Sequence, residues 1–448
     1  MRRLTYPALA LVSALALVAA GCGGSSSSSS GGNDTTTTSG GSSGGGSLQA
    51  LPASSCNPVQ GPKDADLLIA SDLPLQGAGR TQTVQMGQAI NFILKQHDYK
   101  AGKYTVAYQS CDDATAQAGK WDSGKTSANA NAYAHDPDLK GVIGTFNSGA
   151  AEIMVPILNR APNGPVAMVS PANTYVGLTH SGPGTAAGEP DKYYPTGKRN
   201  YIRLVAADDY QGAAEAEWVQ KNGHKSVYLL NDKEAYGLGV STNMRNALNV
   251  LKIKVAGFEA WDPKASSYEA LANKIKATGA DTVFLGGLIC ENGGKLIKDL
   301  RAGLGPNVQI MAPDGFTPLS ATVQGAGQAS EGMTISVAGL PNEQLGPTGK
   351  KFVDAFTKAN GSAPTPYSVY AAQSAEVLLS AIERSDGSRG SIASELFNTD
   401  VKDGILGTFS INENGDTTSN PVTIYQVKNG KQTTNAVVTP GADLVKKA

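Results

Sequence analysis

Short apolar runs alternate with longer amphipathic ones along nearly all of this chain, and that rhythm constrains its fold more than any other feature. Extended candidates occur at residues 66–71, 104–110, 141–146, 166–171, 201–206, 226–231, 255–260, 282–287 and 309–312. Between them lie helical patterns such as 82–96, where Met86, Ile90, Ile93 and Leu94 share a face, and 268–278, where Leu271 and Ile275 do the same. Strands separated by helices run parallel, because the crossover carries the chain back to the end it started from. An α/β architecture of doubly wound, mostly parallel sheets is therefore expected. In such sheets ligands sit in the loops at the carboxyl ends of the strands.

The N-terminus follows a different logic. Arg2 and Arg3 precede an apolar run over residues 7–20 that breaks at Gly21-Cys22, the three-part pattern of a secretory signal and too short for a membrane span. The stretch Leu17-Val18-Ala19-Ala20-Gly21-Cys22 resembles the bacterial lipoprotein signal, which implies cleavage before Cys22 and lipid on its sulfur. Residues 23–47 are almost all Gly, Ser or Thr, a composition that buries no core and reads as a flexible tether reaching about 30 Å. Residues 1–21 are thus expected to be a signal peptide and 22–64 an anchor with its tether. No second apolar stretch long enough to span a membrane follows, so an extracytoplasmic, lipid-anchored domain is expected.

The charge balance is 37 basic against 38 acidic side chains, which provides no positive field for a nucleic-acid partner. With Cys22 lipidated, Cys56, Cys111 and Cys290 remain in an oxidising compartment, enough for one disulfide and one odd thiol. The pairing stays open; Cys56 with Cys111 is favoured, since one lies just before the first strand and the other just after the second. Residues 180–200 break the rhythm with Gly, Pro and charge, and read as an inserted surface loop, either a disordered excursion or a flap over a cleft.

Seven motifs, in order, resemble one family. They are Ser71-Asp72-Leu73-Pro74-Leu75-Gln76-Gly77, Cys111-Asp112-Asp113, Val142-Ile143-Gly144-Thr145-Phe146-Asn147-Ser148, Val169-Ser170-Pro171-Ala172-Asn173-Thr174, Asn231-Asp232-Lys233-Glu234-Ala235-Tyr236-Gly237, Phe284-Leu285-Gly286-Gly287 and Tyr370-Ala371-Ala372-Gln373. Together they resemble the type I periplasmic binding proteins, specifically the branched-chain amino acid binding proteins of ABC importers, over about residues 65–426. The resemblance implies two Rossmann-like lobes joined by a three-strand hinge, one from residues 65–206 and 339–403, the other from 207–338 and 404–438. Residues 439–448 would be a tail. It also implies a monomer that delivers its solute to an ABC permease, with no cofactor and no metal.

The resemblance places a ligand site at strand ends. Ser148 opens a helical run, so its hydroxyl and the free amides there suit a carboxylate. Ala172, through its amide, and Thr174, through its hydroxyl, match family positions that hold the same group. Asp314 stands where the family carries an acidic residue for an α-ammonium, usually Glu, and Tyr236 matches a tyrosine lining the cleft. The side-chain pocket departs from the pattern. Phe146, Asn147 and Leu288 occupy it, with Leu288 where a tyrosine is expected and Asn147 adding a polar group that needs a partner on closure. Gln76 and Arg80, in the first loop, either reach the cleft and favour a polar or acidic ligand or, as is commoner for exposed loop residues, are simply solvated.

Enzymatic readings find little support. The four histidines, His97, His135, His180 and His224, show no i, i+4 pair for a zinc hydrolase. Phe146 stands where a nucleophile elbow needs glycine, and Gly293-Gly294-Lys295-Leu296 lacks the hydroxyl of a phosphate loop. Asp112-Asp113 and Asp208-Asp209 read as loop or capping residues. The rivals to transport are a ligand-binding sensor on the same fold and, further off, an extracellular enzyme or adhesin.

Overall fold

The computed structural model describes residues 48–447. The signal segment, Cys22 and residues 23–47 lie outside the described residues. Two open sheets organise the chain. The first runs Lys100–Ala101, Tyr104–Asp112, Leu67–Leu73, Leu139–Gly144, Ala167–Ser170 and Tyr201–Arg203, all parallel except the short edge strand. The second runs Lys254–Ala260, Ser226–Asn231, Thr282–Gly286, Gln309–Ala312 and Thr334–Val337 in parallel, then Val422–Lys428 and Lys431–Val438 antiparallel. In both, the first strand of the βα series lies inside the second, the doubly wound order expected of this class.

All nine extended candidates form strands, with ends displaced by a few residues. The largest difference is at 201–206, where pairing stops at Arg203 because the chain turns there toward the helix Asp208–Lys221. The helix Arg80–Gln96 buries the anticipated face of Met86, Ile90, Ile93 and Leu94. The antiparallel pair Val422–Lys428 and Lys431–Val438 is absent from the sequence-based list. Its signal is the two-residue turn Asn429-Gly430, both residues at positive φ (53° and 67°), a pattern suited to a tight hairpin.

The chain passes between the lobes three times. It leaves the first sheet after Arg203, returns after Thr334–Val337 to form Pro366–Arg384, which packs on Arg80–Gln96, and goes back to pair Val422–Lys428 with Thr334–Val337. Packing begins earlier than the expected tether boundary at residue 64. Leu51 is buried and its amide donates to Gln109 Oε1 (2.7 Å), and the Gln60 and Tyr108 backbones bond each other. Residues 48–64 are thus tied down by a hydrophobic anchor and a covalent one.

The covalent tie is a disulfide between Cys56 and Cys111, 55 residues apart, with Cys290 left as a thiol. Cys111 lies within the strand Tyr104–Asp112, not after it. Closing a loop of that length restricts the unfolded chain, so replacing both cysteines with serine should lower unfolding free energy by about 4 kcal/mol. Urea titration of the two forms measures it.

Residues 180–200 are folded, which corrects the disordered alternative. Tyr193 and Tyr194 are buried, and Glu189 accepts hydrogen bonds from Tyr175 Oη (2.7 Å) and Tyr193 Oη (2.6 Å). Composition concealed this, because the aromatic anchors are spaced too irregularly to show a period. Part of the segment reaches the second lobe: Gly184 sits at positive φ against the backbone of Gly239 and the side chain of Thr242, where a Cβ would come within 3.1 Å.

Beside the first crossing lies a buried ionic knot. Arg203, with no exposed surface, bonds Asp416 Oδ1 through Nε (2.7 Å) and donates to the carbonyls of Asn173 (3.2 Å) and Tyr175 (2.8 Å). His180 lies 3.1 Å from Asp416 Oδ2 through Nδ1 and 3.2 Å from Asp209 Oδ2 through Nε2. Burial opposes the charge on His180, but the two carboxylates overcome it and raise its pKa to about 9. The folded-state pKa exceeds the unfolded value near 6.5, so this stabilisation is complete below that pH and is lost as pH rises through about 9. Allowing for its partial exposure, we expect about 2 kcal/mol of stability to disappear over that interval. His180→Gln should flatten the melting temperature across the same range.

Candidate functional site

The loops at the carboxyl ends of both sheets face one another across a narrow, nearly filled cavity. One lobe contributes Phe146, Asn147 and Ser148, after the strand Leu139–Gly144, and Ala172 and Thr174, after Ala167–Ser170. The other contributes Glu234 and Tyr236, after Ser226–Asn231, Leu288, after Thr282–Gly286, and Asp314 and Gly315, after Gln309–Ala312. All eight residues singled out in the sequence therefore converge on this one cavity. Arg80 does not: it is exposed and lines neither chamber of the cleft. Gln76 borders a small adjoining chamber, but its amide is directed at Asp112 Oδ2 (2.6 Å) and Ala114 O (3.3 Å).

The cavity has two electrostatic poles. At one, Ser148 begins the helix Ser148–Asn159, and the Asn147 side chain does not cap it; the Ala150 amide is taken by the Asn147 carbonyl (3.2 Å), which leaves the amides of Ser148 and Gly149 to an anion. The Ser148 hydroxyl accepts a weak bond from the Tyr175 amide (3.3 Å) and keeps its own proton to donate. At the other pole, Asp314 Oδ1 accepts from Gln211 Nε2 (2.9 Å) and Tyr236 Oη (2.7 Å), and Oδ2 from Tyr367 Oη (2.9 Å). A carboxylate has about four acceptor positions, so one remains on Oδ2.

No lysine or arginine lines this cavity. Burial raises the pKa of Asp314 above its ordinary value in spite of its three donors. Below it, Asp208 and Glu215 are buried acids whose pKa values burial also pushes well up. The Asp208 oxygens meet no partner in normal hydrogen-bond geometry, although the Thr174 hydroxyl lies near enough to favour the charged form. Gln211 ties this layer together by donating to both Asp314 and Ser336 Oγ (2.7 Å), and Ser336 donates to Glu215 (2.5 Å). A guest cation is the group this pole lacks.

Asp232 holds the facing loops in place. Its Oδ1 accepts the Glu234 amide (3.0 Å) and its Oδ2 the Leu288 amide (2.9 Å). Glycine is required around it, because a Cβ on Gly237 or Gly287 would fall 2.2 or 2.4 Å from the same carboxylate. Several residues of the site escaped the sequence reading. Glu234 lines the cavity within one of the seven motifs; Gln211 and Tyr367 reach Asp314 from the helices Asp208–Lys221 and Pro366–Arg384, which the sequence reading did not single out. Lys120, on the first lobe, bonds Glu234 Oε1 (2.5 Å) and Glu291 on the second. Phe146 packs edge-on against Tyr367, ring centres 5.7 Å apart.

Residues 69–432 match the family model described as periplasmic binding protein. The chain belongs to this family. A Pseudomonas aeruginosa leucine-, isoleucine-, valine-, threonine- and alanine-binding protein is 30% identical over 233 residues, 51% of this chain and 61% of that protein. The matched stretch thus spans under two thirds of that relative. The Leu/Ile/Val-binding protein BraC3 of Rhizobium johnstonii is 27% identical over 375 residues, covering 82% and 93% of the two chains. The crystal structure of a leucine binding protein LivK from Thermotoga maritima superposes with a TM-score of 0.71 at 25% identity, covering 84% of this chain and 99% of that one. These relatives are solute-binding proteins, and the periplasmic binding protein family acts outside the cytoplasm. None of the helices among the described residues is long and apolar enough to cross a membrane.

Proposed function

We propose that this protein is the solute-binding component of an ABC importer, capturing an amino acid or a close analogue between its lobes and presenting it to a membrane permease. The observation that carries this is the two-poled cavity: free amides at Ser148 facing an acid, Asp314, that retains one acceptor site and has no cation partner. An α-amino acid supplies a carboxylate to the first pole and an ammonium to the second. Ser148, Ala172 and Thr174 hold the carboxylate; Asp314 and Tyr236 hold the ammonium; Phe146, Asn147 and Leu288 receive the side chain. The lobes are residues 65–206 with 339–403 and 207–338 with 404–438, closing as rigid bodies on the hinge. A lipid on Cys22 keeps the monomer at the outer face of the membrane, and the protein performs no chemistry on its solute.

Thermal shift of the purified protein tests this, because a ligand bound only by the folded state raises the melting temperature. Leucine, isoleucine or valine at a hundred times its Kd should add about 2.7 kcal/mol of stability. A rise with polar amino acids alone would keep the mechanism and change the cargo, and the absence of any rise across the amino acids would refute the reading.

A further inference from the structure

We propose that Lys120 is the residue that holds the closed cleft shut and so sets how long a ligand stays. It rests on the reading of the cleft as a ligand site, but concerns a contact outside the carboxylate and ammonium poles. Lys120 belongs to the short strand Lys120–Trp121 of the first lobe, and its ammonium bonds two carboxylates of the second lobe, Glu234 and Glu291. The three side chains are 28%, 18% and 12% exposed, buried enough for the attraction to escape most solvent screening.

Both acceptors are held in place for this contact. The Glu234 amide is fixed by Asp232 (3.0 Å), and the Glu291 carbonyl accepts Trp261 Nε1 (2.8 Å). Lys120 also lies 5.9 Å from the centre of the Trp121 ring, which limits the paths its long side chain can take. Other charged contacts between the lobes lie beside the crossings, where His180 and Arg203 meet Asp209 and Asp416 and Thr434 donates to Glu343 (2.5 Å); at the cleft, Gln82 Nε2 to Thr317 Oγ1 (3.1 Å) is a neutral bond and Tyr367 Oη to Asp314 (2.9 Å) belongs to the ammonium pole. Lys120 is the ion pair on the cleft side.

The two carboxylates outnumber the ammonium, so removing Lys120 does more than delete an attraction. It leaves Glu234, already held above its ordinary pKa by burial, beside Glu291 with no cation between them. That pair opposes closure. The bridge exists only once the lobes have met, so its loss acts on release and not on encounter. Glu234 also lines the ligand cavity, whereas Glu291 lines neither chamber, which makes Glu291 the cleaner partner to alter.

The test compares wild type with Lys120→Met, Lys120→Arg and Glu291→Gln, using stopped-flow kinetics with L-leucine and small-angle scattering of the ligand-free protein. Lys120→Met should speed leucine release at least tenfold with the association rate within threefold of wild type, and should enlarge the radius of gyration. Glu291→Gln should give a smaller change in the same direction, and Lys120→Arg should restore slow release. Unchanged release and an unchanged radius in Lys120→Met would overturn the proposal. If leucine fails to bind even wild type while the radius still grows in Lys120→Met, the latch stands and the cargo assignment falls.

Discussion

Arg203→Met is expected to destabilise the protein by about 3–5 kcal/mol, the largest effect on folding of any single substitution considered for this chain. The reason is asymmetry. Arg203 is fully buried, and its removal strands Asp416, whose carboxyl it holds well below the usual range against the opposing effect of burial. Two backbone carbonyls, of Asn173 and Tyr175, lose their donor in the same step. His180 provides partial compensation from the other side of Asp416, so the loss should grow as pH rises through about 9 and that histidine discharges. Denaturant unfolding at neutral pH measures the change. A loss below about 1 kcal/mol would mean that the knot is not what secures the first crossing.

Asp314→Ala should weaken amino-acid binding by about 3–5 kcal/mol, between a hundredfold and several thousandfold in Kd. It removes the only carboxylate that Tyr236, Tyr367 and Gln211 jointly address and leaves a ligand ammonium in a buried site without a counter-charge. Asp314→Asn separates charge from shape. It keeps an acceptor for the tyrosines, so the fold should hold while affinity for the ammonium still falls steeply. Calorimetric titration of both variants with L-leucine gives the numbers, and near-wild-type affinity in Asp314→Asn would remove the charge from the account of binding.

What the sequence made legible, and what it did not, follows from how far each signal reaches along the chain. Strands buried on both faces read as apolar runs, so Leu139–Gly144 and Thr282–Gly286 were visible without a partner in view. The edge strand Lys431–Val438 exposes much of its length and showed no such run. The candidate site was legible because its eight residues all follow strand ends, six of them within the seven motifs and Leu288 directly after one. Gln211 and Tyr367 were hidden because they lie on helices, 103 and 53 residues from the Asp314 carboxylate they touch. Lys120 was hidden for the same reason: a lysine in a polar loop looks solvated until its partners, 114 and 171 residues away, are known. For Arg80 the sequence left two readings open, and its exposed position agrees with the solvated one.

The central claim is that the cavity between the lobes is the solute site, with carboxylate and ammonium at opposite poles. A crystal structure of the protein grown with L-leucine tests it most directly. The account predicts ligand density between the lobes, its carboxylate within hydrogen-bond distance of Ser148, Ala172 or Thr174 and its ammonium on Asp314. Leucine seated elsewhere, for instance in the larger surface cavity lined by Gln373, Arg384 and Asp400, or lying in the cleft with its ammonium away from Asp314, would contradict it.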